Sequence, residues 1–313
     1  MFTESFSIRL RNSFASSSLY MRQVFDGPKP GLQRRVLLAL LVCAALYLLA
    51  CVGCATYQRR FIYFPPVFTP NQVNEFAKTE RLERWQSPAG KLIGWKRLSP
   101  KQPVQGQVLI THGNAGCAFQ CGHYADVIQQ AAALDVFIVE YPGYADRPGT
   151  PTECTLDASA EEAFQLLATN VPVYLVGESL GTGVAAYLAG RYPDKIAGVA
   201  LLAPYNRLAD VAQAHMSLLP VHLLLCDRFP AQDNLRCYHG PVAMVVAGQD
   251  TVIPERFGRR LYDRYDGPKK LWEFPEGNHG TVMIQPSEFW QQIVAFWQMH
   301  PRSSGGKGIV PAL

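Results

Sequence analysis

The strongest signal for the fold of this chain is the run Val173-Tyr-Leu-Val-Gly177-Glu-Ser179-Leu-Gly181. Its apolar residues predict a buried strand, and Thr182 to Tyr192 continue with small and apolar side chains at helical spacing. A strand that turns sharply into a helix at Gly-x-Ser-x-Gly is a nucleophile elbow, which holds its serine in a strained backbone with an exposed hydroxyl. Side chains at positions 177 and 181 would collide with the neighbouring strand or the start of the helix. We therefore predict that Ser179 is a nucleophile.

A serine hydroxyl needs a base to take its proton, and the rest of the sequence supplies the partners. Two further strand-like runs end in loops that carry Asp250 and His279, respectively. The chain order Ser179, Asp250, His279 predicts a catalytic triad of nucleophile, acid and base. Asp233 and Asp263 also lie in the second half of the chain, but neither follows a predicted strand.

Alternating strand and helix patterns follow Gly106. The predicted strands are 107–112, 136–141, 173–178, 198–203, 242–247 and 270–274, and the predicted helices are 124–133, 156–169, 182–191, 254–264 and 286–299. The runs 81–87 and 91–97 flank a turn and predict an antiparallel hairpin. The pattern predicts an α/β fold whose mostly parallel, doubly covered sheet carries this hairpin at one edge.

An apolar segment precedes this domain. Val36 to Ala55 contains no charge over about 20 residues, which is long enough to cross a bilayer, and it shows no polar stripe. It is interpreted as a transmembrane or signal-anchor helix. The predicted organisation is a disordered segment 1–35, the apolar helix 36–55, a catalytic domain 61–300 and a flexible tail 301–313.

Basic residues flank the apolar segment unevenly. Those before it are Arg9, Arg11, Arg22, Lys29, Arg34 and Arg35, and the nearest after it are Arg59 and Arg60. This bias favours a cytoplasmic N-terminus and a non-cytoplasmic, membrane-tethered domain, which would be periplasmic in a bacterium. Two alternatives remain: a lipoprotein cleavage box that would leave Cys51 acylated, which also exports the domain, and an anchor of reverse orientation.

Composition limits the function classes. The chain has 313 residues, of which 48% are hydrophobic and 17% charged, enough for one large core. A formal net charge of +4 predicts no nucleic-acid partner. The eight cysteines have no zinc-site spacing, so no metal or other cofactor is expected, and a bridge between Cys226 and Cys237 stays open.

Five motifs together resemble a known family. They are His112-Gly-Asn-Ala-Gly, Glu140-Tyr-Pro-Gly-Tyr144, Gly177-Glu-Ser-Leu-Gly181, Asp250-x-x-x-Pro254 and Gly277-Asn-His279-Gly280. In this order they resemble the α/β-hydrolase superfamily, and within it the membrane-anchored serine hydrolases that include depalmitoylase-like and S33-like members. The resemblance covers residues 61–299 and departs from the family after Tyr144, where Ala-Asp-Arg replaces the usual Gly-x-Ser.

The loop after the first parallel strand is where this fold supplies half of an oxyanion hole. One backbone N–H is expected from Leu180, and the other from Asn114 or Ala115. His112 and Gly113 support this loop, and we interpret His112 as orienting it by hydrogen bonding. Tyr141 and Tyr144 line the pocket or pack the loop.

The segment 207–240 and the triad together indicate the class of substrate. The segment 207–240 lies where this fold carries a lid, and its apolar run suits acyl chains or packs on the sheet. The triad predicts an esterase or thioesterase acting on a small-molecule or lipid-like acyl substrate. A serine peptidase is the alternative because both reactions pass through an acyl-enzyme. A non-catalytic binding domain is the third class, against which the complete triad argues.

Overall fold

A computed structural model of the chain describes residues 30–301. The disorder predicted for residues 1–29 and the flexible tail predicted for 302–313 lie outside the described residues. Two compact units are present, one ending at Cys54 and the other beginning at Ala55. The second unit starts before residue 61, where the catalytic domain was predicted to start.

The second unit is built on one eight-stranded sheet. Its strands are β1 (Glu83–Gln86), β2 (Leu92–Arg97), β3 (Gly106–Thr111), β4 (Leu134–Val139), β5 (Val173–Glu178), β6 (Ile196–Leu202), β7 (Val242–Ala247) and β8 (Lys269–Phe274). They lie in the order β1-β2-β4-β3-β5-β6-β7-β8. The pairs β1/β2 and β2/β4 are antiparallel, and all other neighbours are parallel. The predicted fold class and edge hairpin are therefore confirmed.

Helices cover both faces of this sheet. In chain order the helices are α1 (Pro30–Tyr57), α2 (Arg59–Ile62), α3 (Pro70–Thr79), α4 (Gly122–Ala131), α5 (Glu153–Gln165), α6 (Gly181–Arg191), α7 (Leu208–His215), α8 (Val221–Leu224), α9 (Ala231–Asn234), α10 (Glu255–Arg264) and α11 (Ser287–Met299). Helices α5, α6 and α10 bury their apolar residues in one core, and α3, α4 and α11 bury theirs in a second core on the other face. Burial on both faces explains why the central strands read as continuous apolar runs.

Helix α3 was not predicted from the sequence. It begins after Thr69, whose hydroxyl accepts a hydrogen bond from the Gln72 N–H, while the Gln72 amide oxygen accepts one from the Thr69 N–H. Pro70 at the first helical position adds a second start signal. The helix buries only Val73 and Ala77, so its apolar pattern is too sparse to predict a helix without the cap.

Helix α1 starts earlier and ends later than the predicted segment 36–55. It runs from Pro30 to Tyr57, so residues 30–35 are helical and do not belong to a disordered segment. The side chains of residues 31–50 are exposed, and the described part holds one helix long and apolar enough to span a bilayer. Gln33, Arg34 and Arg35 extend the helix beyond its apolar part because they are good helix formers.

The segment 207–240 folds as three short helices, α7 to α9. Ala209, Val221 and Leu225 form a small core of their own, separate from the two cores against the sheet. Leu218 and Leu223 remain 86% and 82% exposed. The apolar run therefore divides between a local core and the surface.

All eight cysteines are free, so the bridge considered between Cys226 and Cys237 is not formed. Both of these thiols are exposed, whereas Cys117 and Cys121 are buried. Burial raises the pKa of the Cys117 thiol, and it raises that of Cys121 well above its ordinary value. Neither buried thiol is poised to act as a nucleophile.

Candidate active site

The turn between β5 and α6 holds Ser179 in a strained backbone. Its φ is 49°, in the left-handed region that side-chain-bearing residues rarely adopt. A Cβ atom at Gly177 would lie 2.7 Å from the Gly181 carbonyl oxygen, and one at Gly181 would lie 2.6 Å from the His112 carbonyl oxygen. Both glycines are therefore sterically required where the helix start approaches β5 and the end of β3.

Three predicted residues from separate loops come together at this turn. The Nε2 atom of His279 lies 3.0 Å from Ser179 Oγ, and its Nδ1 atom lies 2.7 Å from Asp250 Oδ2. Ser179 is 7% exposed, the Asp250 side chain 1% and the His279 side chain 23%. The site thus opens to solvent mainly at the imidazole.

Backbone hydrogen bonds orient the Asp250 carboxylate. Its second oxygen, Oδ1, accepts from the N–H groups of Val252 and Ile253 at 2.8 and 2.7 Å. These bonds leave Oδ2 facing His279. Asp233, by contrast, pairs with Arg207 at 2.9 Å and makes no hydrogen bond to His279 within residues 30–301.

The loop that carries His279 is shaped by its neighbour Asn278. The Asn278 side-chain oxygen accepts from the N–H groups of Gly280 and Thr281 at 3.0 and 3.1 Å. The loop is also tied to the loop of Asp250, because the Gln249 N–H donates to the Gly277 carbonyl at 2.9 Å. Acid and base are thus held to each other by main-chain bonds as well as by their side chains.

Three backbone N–H groups, in the loop after β3 and directly after Ser179, have no hydrogen-bond acceptor among the described residues. The Gly113 N–H is occupied, since it donates to Glu178 Oε1 at 2.9 Å. Within residues 30–301, the N–H groups of Leu180, Asn114 and Ala115 have no acceptor. These are the three groups proposed from the sequence for an oxyanion hole, and they stay available for one.

His112 is fully buried beneath this loop. Its Nδ1 atom lies 2.7 Å from the Gly113 carbonyl oxygen, and its Nε2 atom lies 3.4 Å from Glu140 Oε1. The hydroxyl of Tyr141 donates to the His112 carbonyl, and that of Tyr144 donates to the Asn114 carbonyl at 2.8 Å. The two tyrosines, which are also buried, therefore hold the loop in place through hydrogen bonds to its backbone carbonyls.

Glu178 is the site residue that sequence reasoning missed. Besides the Gly113 bond, its Oε2 atom accepts from the hydroxyl of Tyr124 at 2.7 Å. Burial raises the pKa of Tyr124 well above its ordinary value, so this phenol remains a donor. The available signal was position: a carboxylate next to the serine at the end of β5 lies beside the loop that follows β3.

The departure noted after Tyr144 has a local consequence. Ala145 adopts a φ of 48°, in the conformation that glycine favours. The Arg147 guanidinium is buried and donates to the Ile93 carbonyl at 3.1 Å. Residues 143–147 thus form a tight turn, closed by a hydrogen bond from the Gly143 N–H to the Arg147 carbonyl at 3.0 Å.

Comparisons with known proteins give the same architecture. A family model described as alpha/beta hydrolase fold matches residues 106–220. An uncharacterized protein of Mycobacterium tuberculosis is 31% identical over 242 residues, which cover 72% of this chain and 84% of the relative. Lysophosphatidylserine lipase ABHD12 of Danio rerio is 28% identical over 60% of this chain and 54% of its own length. An uncharacterized membrane protein of Saccharomyces cerevisiae is 29% identical over 60% of this chain and 69% of its own length.

Solved structures agree at the level of the fold. The esterase Pf2001 of Pyrococcus furiosus superposes with a TM-score of 0.55 and 16% identity, over 76% of this chain and 99% of that one. Est1E of Butyrivibrio proteoclasticus, solved with ferulic acid, superposes with a TM-score of 0.54 and 15% identity, over 68% and 100%. At these identities the likeness concerns the fold alone.

Proposed function

The chain belongs to the α/β-hydrolase family, and on that premise we propose that it is a serine hydrolase that cleaves acyl esters or thioesters. The observation that carries this proposal is the continuous hydrogen-bonded chain from Ser179 through His279 to Asp250. Nucleophile, base and orienting carboxylate are the three groups that acyl transfer requires, and here each is in hydrogen-bonding reach of the next.

In the proposed reaction, Ser179 Oγ attacks the acyl carbonyl carbon while His279 Nε2 takes the hydroxyl proton. Asp250 accepts a hydrogen bond from the Nδ1–H group of His279 and stabilises the imidazolium that forms. The carbonyl oxygen becomes an oxyanion, which the N–H of Leu180 and that of Asn114 or Ala115 would stabilise.

The acyl-enzyme then forms and is hydrolysed, with His279 acting first as the acid and then as the base. The tetrahedral intermediate collapses, the bond to the leaving oxygen or sulfur breaks, and His279 returns its proton to that atom. A water molecule, deprotonated by His279, attacks the acyl carbon in the second half. The second tetrahedral intermediate collapses as the bond between the acyl carbon and Ser179 Oγ breaks, and His279 returns the proton to Oγ. This releases the free acid and restores the Ser179 hydroxyl.

A lipid-like acyl substrate is the favoured class. Several relatives of this chain are named lysophosphatidylserine lipases, although the match spans about half of their length. Helix α1 has the length and composition to anchor the chain in a bilayer, where such substrates reside. We propose that α1 is a single-pass anchor and that the catalytic domain lies on the non-cytoplasmic face.

A substrate panel tests the proposed function. The purified full chain should hydrolyse acyl esters or acyl-thioesters and bind a fluorophosphonate probe covalently at Ser179. Aminoacyl amides should be poor substrates. Hydrolysis of the amides alone would instead indicate a serine peptidase, and an absence of both turnover and labelling would indicate a non-catalytic binding domain.

A further inference from the structure

A short segment connects helix α1 to the active site. We call residues 58–64 the strap; it contains α2 and follows directly after the last residue of α1, Tyr57. The strap is part of the second compact unit, which begins at Ala55. Its contacts fall into two groups, one with the segment 224–227 and one with Asn114 in the loop after β3.

The first group fixes the strap to the segment 224–227. Gln58 is 6% exposed, and its side chain donates to the Leu224 carbonyl at 3.1 Å and accepts from the Cys226 N–H at 2.7 Å. Both Arg59 Nε and the Tyr63 hydroxyl donate to Asp227 Oδ2, at 3.0 and 3.1 Å. The strap is therefore held along most of its length.

Tyr63 is a hydrogen-bond donor in this cluster. Burial raises its pKa, and the negative charge of Asp227 raises it further, which favours the protonated phenol that donates to Asp227. The hydrogen bond to Asp227 raises the pKa of Arg59 as well. The Asp227 side chain, which is 6% exposed, thus accepts hydrogen bonds from the charged Arg59 and the neutral Tyr63, both in the strap.

The second group clamps Asn114 from both sides. The Asn114 side-chain amide donates to the Ile62 carbonyl at 2.7 Å, and the Phe64 N–H donates to the Asn114 carbonyl at 3.2 Å. The hydroxyl of Tyr144 reaches the same carbonyl from a later part of the chain. Both the side chain and the main chain of Asn114 are thus bonded to the strap.

This clamp determines how one peptide group is oriented. The C=O of Asn114 and the N–H of Ala115 belong to the same planar trans peptide and point in opposite directions. A carbonyl held by Phe64 and Tyr144 therefore fixes the direction of the Ala115 N–H, which is one of the two candidates for the second oxyanion donor.

We propose that the strap is a positioning element of the active site, because it holds the peptide between Asn114 and Ala115 in the orientation that stabilises the oxyanion. This inference rests on the proposed serine hydrolase function. It assigns to the segment next to the apolar helix a role in turnover besides connecting that helix to the domain. Oxyanion stabilisation acts in the transition state, so a displaced donor lowers kcat and leaves KM nearly unchanged.

The test compares two variants of the full chain in detergent micelles with a matched control. Asn114→Ala removes the bond to Ile62 but keeps every backbone N–H, and Gln58→Ala releases the strap from residues 224–226. Asn74→Ala is the control, since Asn74 is exposed on α3 and its side chain bonds only to Arg84 among residues 30–301. The measurements are kcat and KM for a p-nitrophenyl acyl ester, melting temperature, and affinity for an alkyl boronic acid, which forms a tetrahedral adduct on serine.

We expect Asn114→Ala to lower kcat about 10-fold, less than the about 100-fold that follows loss of a whole oxyanion donor, with KM within about twofold. Boronate affinity should fall in parallel, Gln58→Ala should act in the same direction, and both should melt like the control. A kcat equal to that of Asn74→Ala in both Asn114→Ala and Gln58→Ala, or a loss that follows KM or melting temperature, would overturn the proposal. Retained activity in Ser179→Ala would instead overturn the serine hydrolase assignment.

Discussion

His279 Nε2 lies 3.0 Å from Ser179 Oγ, although the two residues are 100 positions apart in the chain. The distance is short enough for direct proton transfer between the two side chains. It arises because β5 and β8 are parallel strands of one sheet, so that the loops at their carboxyl ends lie on the same edge.

Replacing the nucleophile should abolish turnover. Ser179→Ala removes the attacking oxygen and should lower kcat by about 10⁴-fold to 10⁶-fold, by analogy with other triads. Ser87→Ala, in the turn between β1 and β2 at the edge of the sheet, is the matched control and should keep the kcat of the wild type. Ester hydrolysis and fluorophosphonate labelling measure the difference, and labelling that persists in Ser179→Ala would rule out this serine.

Replacing the acid should reveal which aspartate serves the histidine. Asp250→Asn keeps the shape of the side chain but no longer selects the productive imidazole tautomer. We therefore expect kcat to fall by more than about tenfold. Asp233→Asn should leave kcat nearly unchanged, because Asp233 pairs with Arg207, whose hydrogen bond lowers the pKa of that carboxyl. The reverse pattern in steady-state kinetics would show that the acid was misassigned.

The chain should behave as a membrane-anchored protein with an external domain. Salt screens charges but does not reverse the burial of about 20 apolar residues, so high salt should leave the chain in the membrane fraction and detergent should release it. Protease added to intact spheroplasts should digest the catalytic domain, as followed by an antibody to the C-terminus. Complete protection would contradict the orientation, and release by salt alone would contradict the anchor.

Asp157 should make stability depend on pH. Burial, and then the neighbouring Glu153 and Glu161, raise its pKa to about 8, and its buried Oδ1 atom has no hydrogen-bond partner within residues 30–301. The folded state therefore binds a proton that the unfolded chain releases near pH ~4, and stability falls as the pH rises from about 4 to about 8.

Asp157→Asn removes this titration. Its melting temperature should match the wild type near pH ~4 and exceed it by a margin that grows up to about pH 8. Asp266→Asn, at an exposed position, provides the comparison and should show no such trend. A difference that stays constant across this range in thermal melts would show that Asp157 is not protonated in the fold.

Thiol labelling should separate the cysteines by burial. In the native chain, iodoacetamide should modify the exposed Cys154, Cys226 and Cys237, and it should spare Cys117 and Cys121 until denaturant is added. Both exclusion from solvent and a raised pKa suppress the thiolate that reacts. Mass spectrometry of the labelled peptides measures this, and equal native labelling of all five would contradict the burial of Cys117 and Cys121.

Local signals explain why much of the fold was predictable. The strands β5 and β7 were predicted to the residue, because buried parallel strands are apolar runs that end abruptly. The start of α5 was misplaced from Glu153 to Leu156, since its first turn is polar and is marked only by the cap at Thr152. Helix α3 was missed for the same reason, because a capping motif is a weaker signal for a helix than a periodic apolar pattern.

The α/β class, the strand-to-helix turn at Ser179 and the three candidate triad residues could be predicted from the amino-acid sequence, because each depends on residue types within a few positions. The contacts between segments that are distant in the chain could be identified only in the folded structure. It joined Glu178 to Gly113 and the strap residue Ile62 to Asn114, pairs separated by 65 and 52 positions. Such contacts depend on strand order and on the path of connecting segments, which no local pattern of side chains encodes.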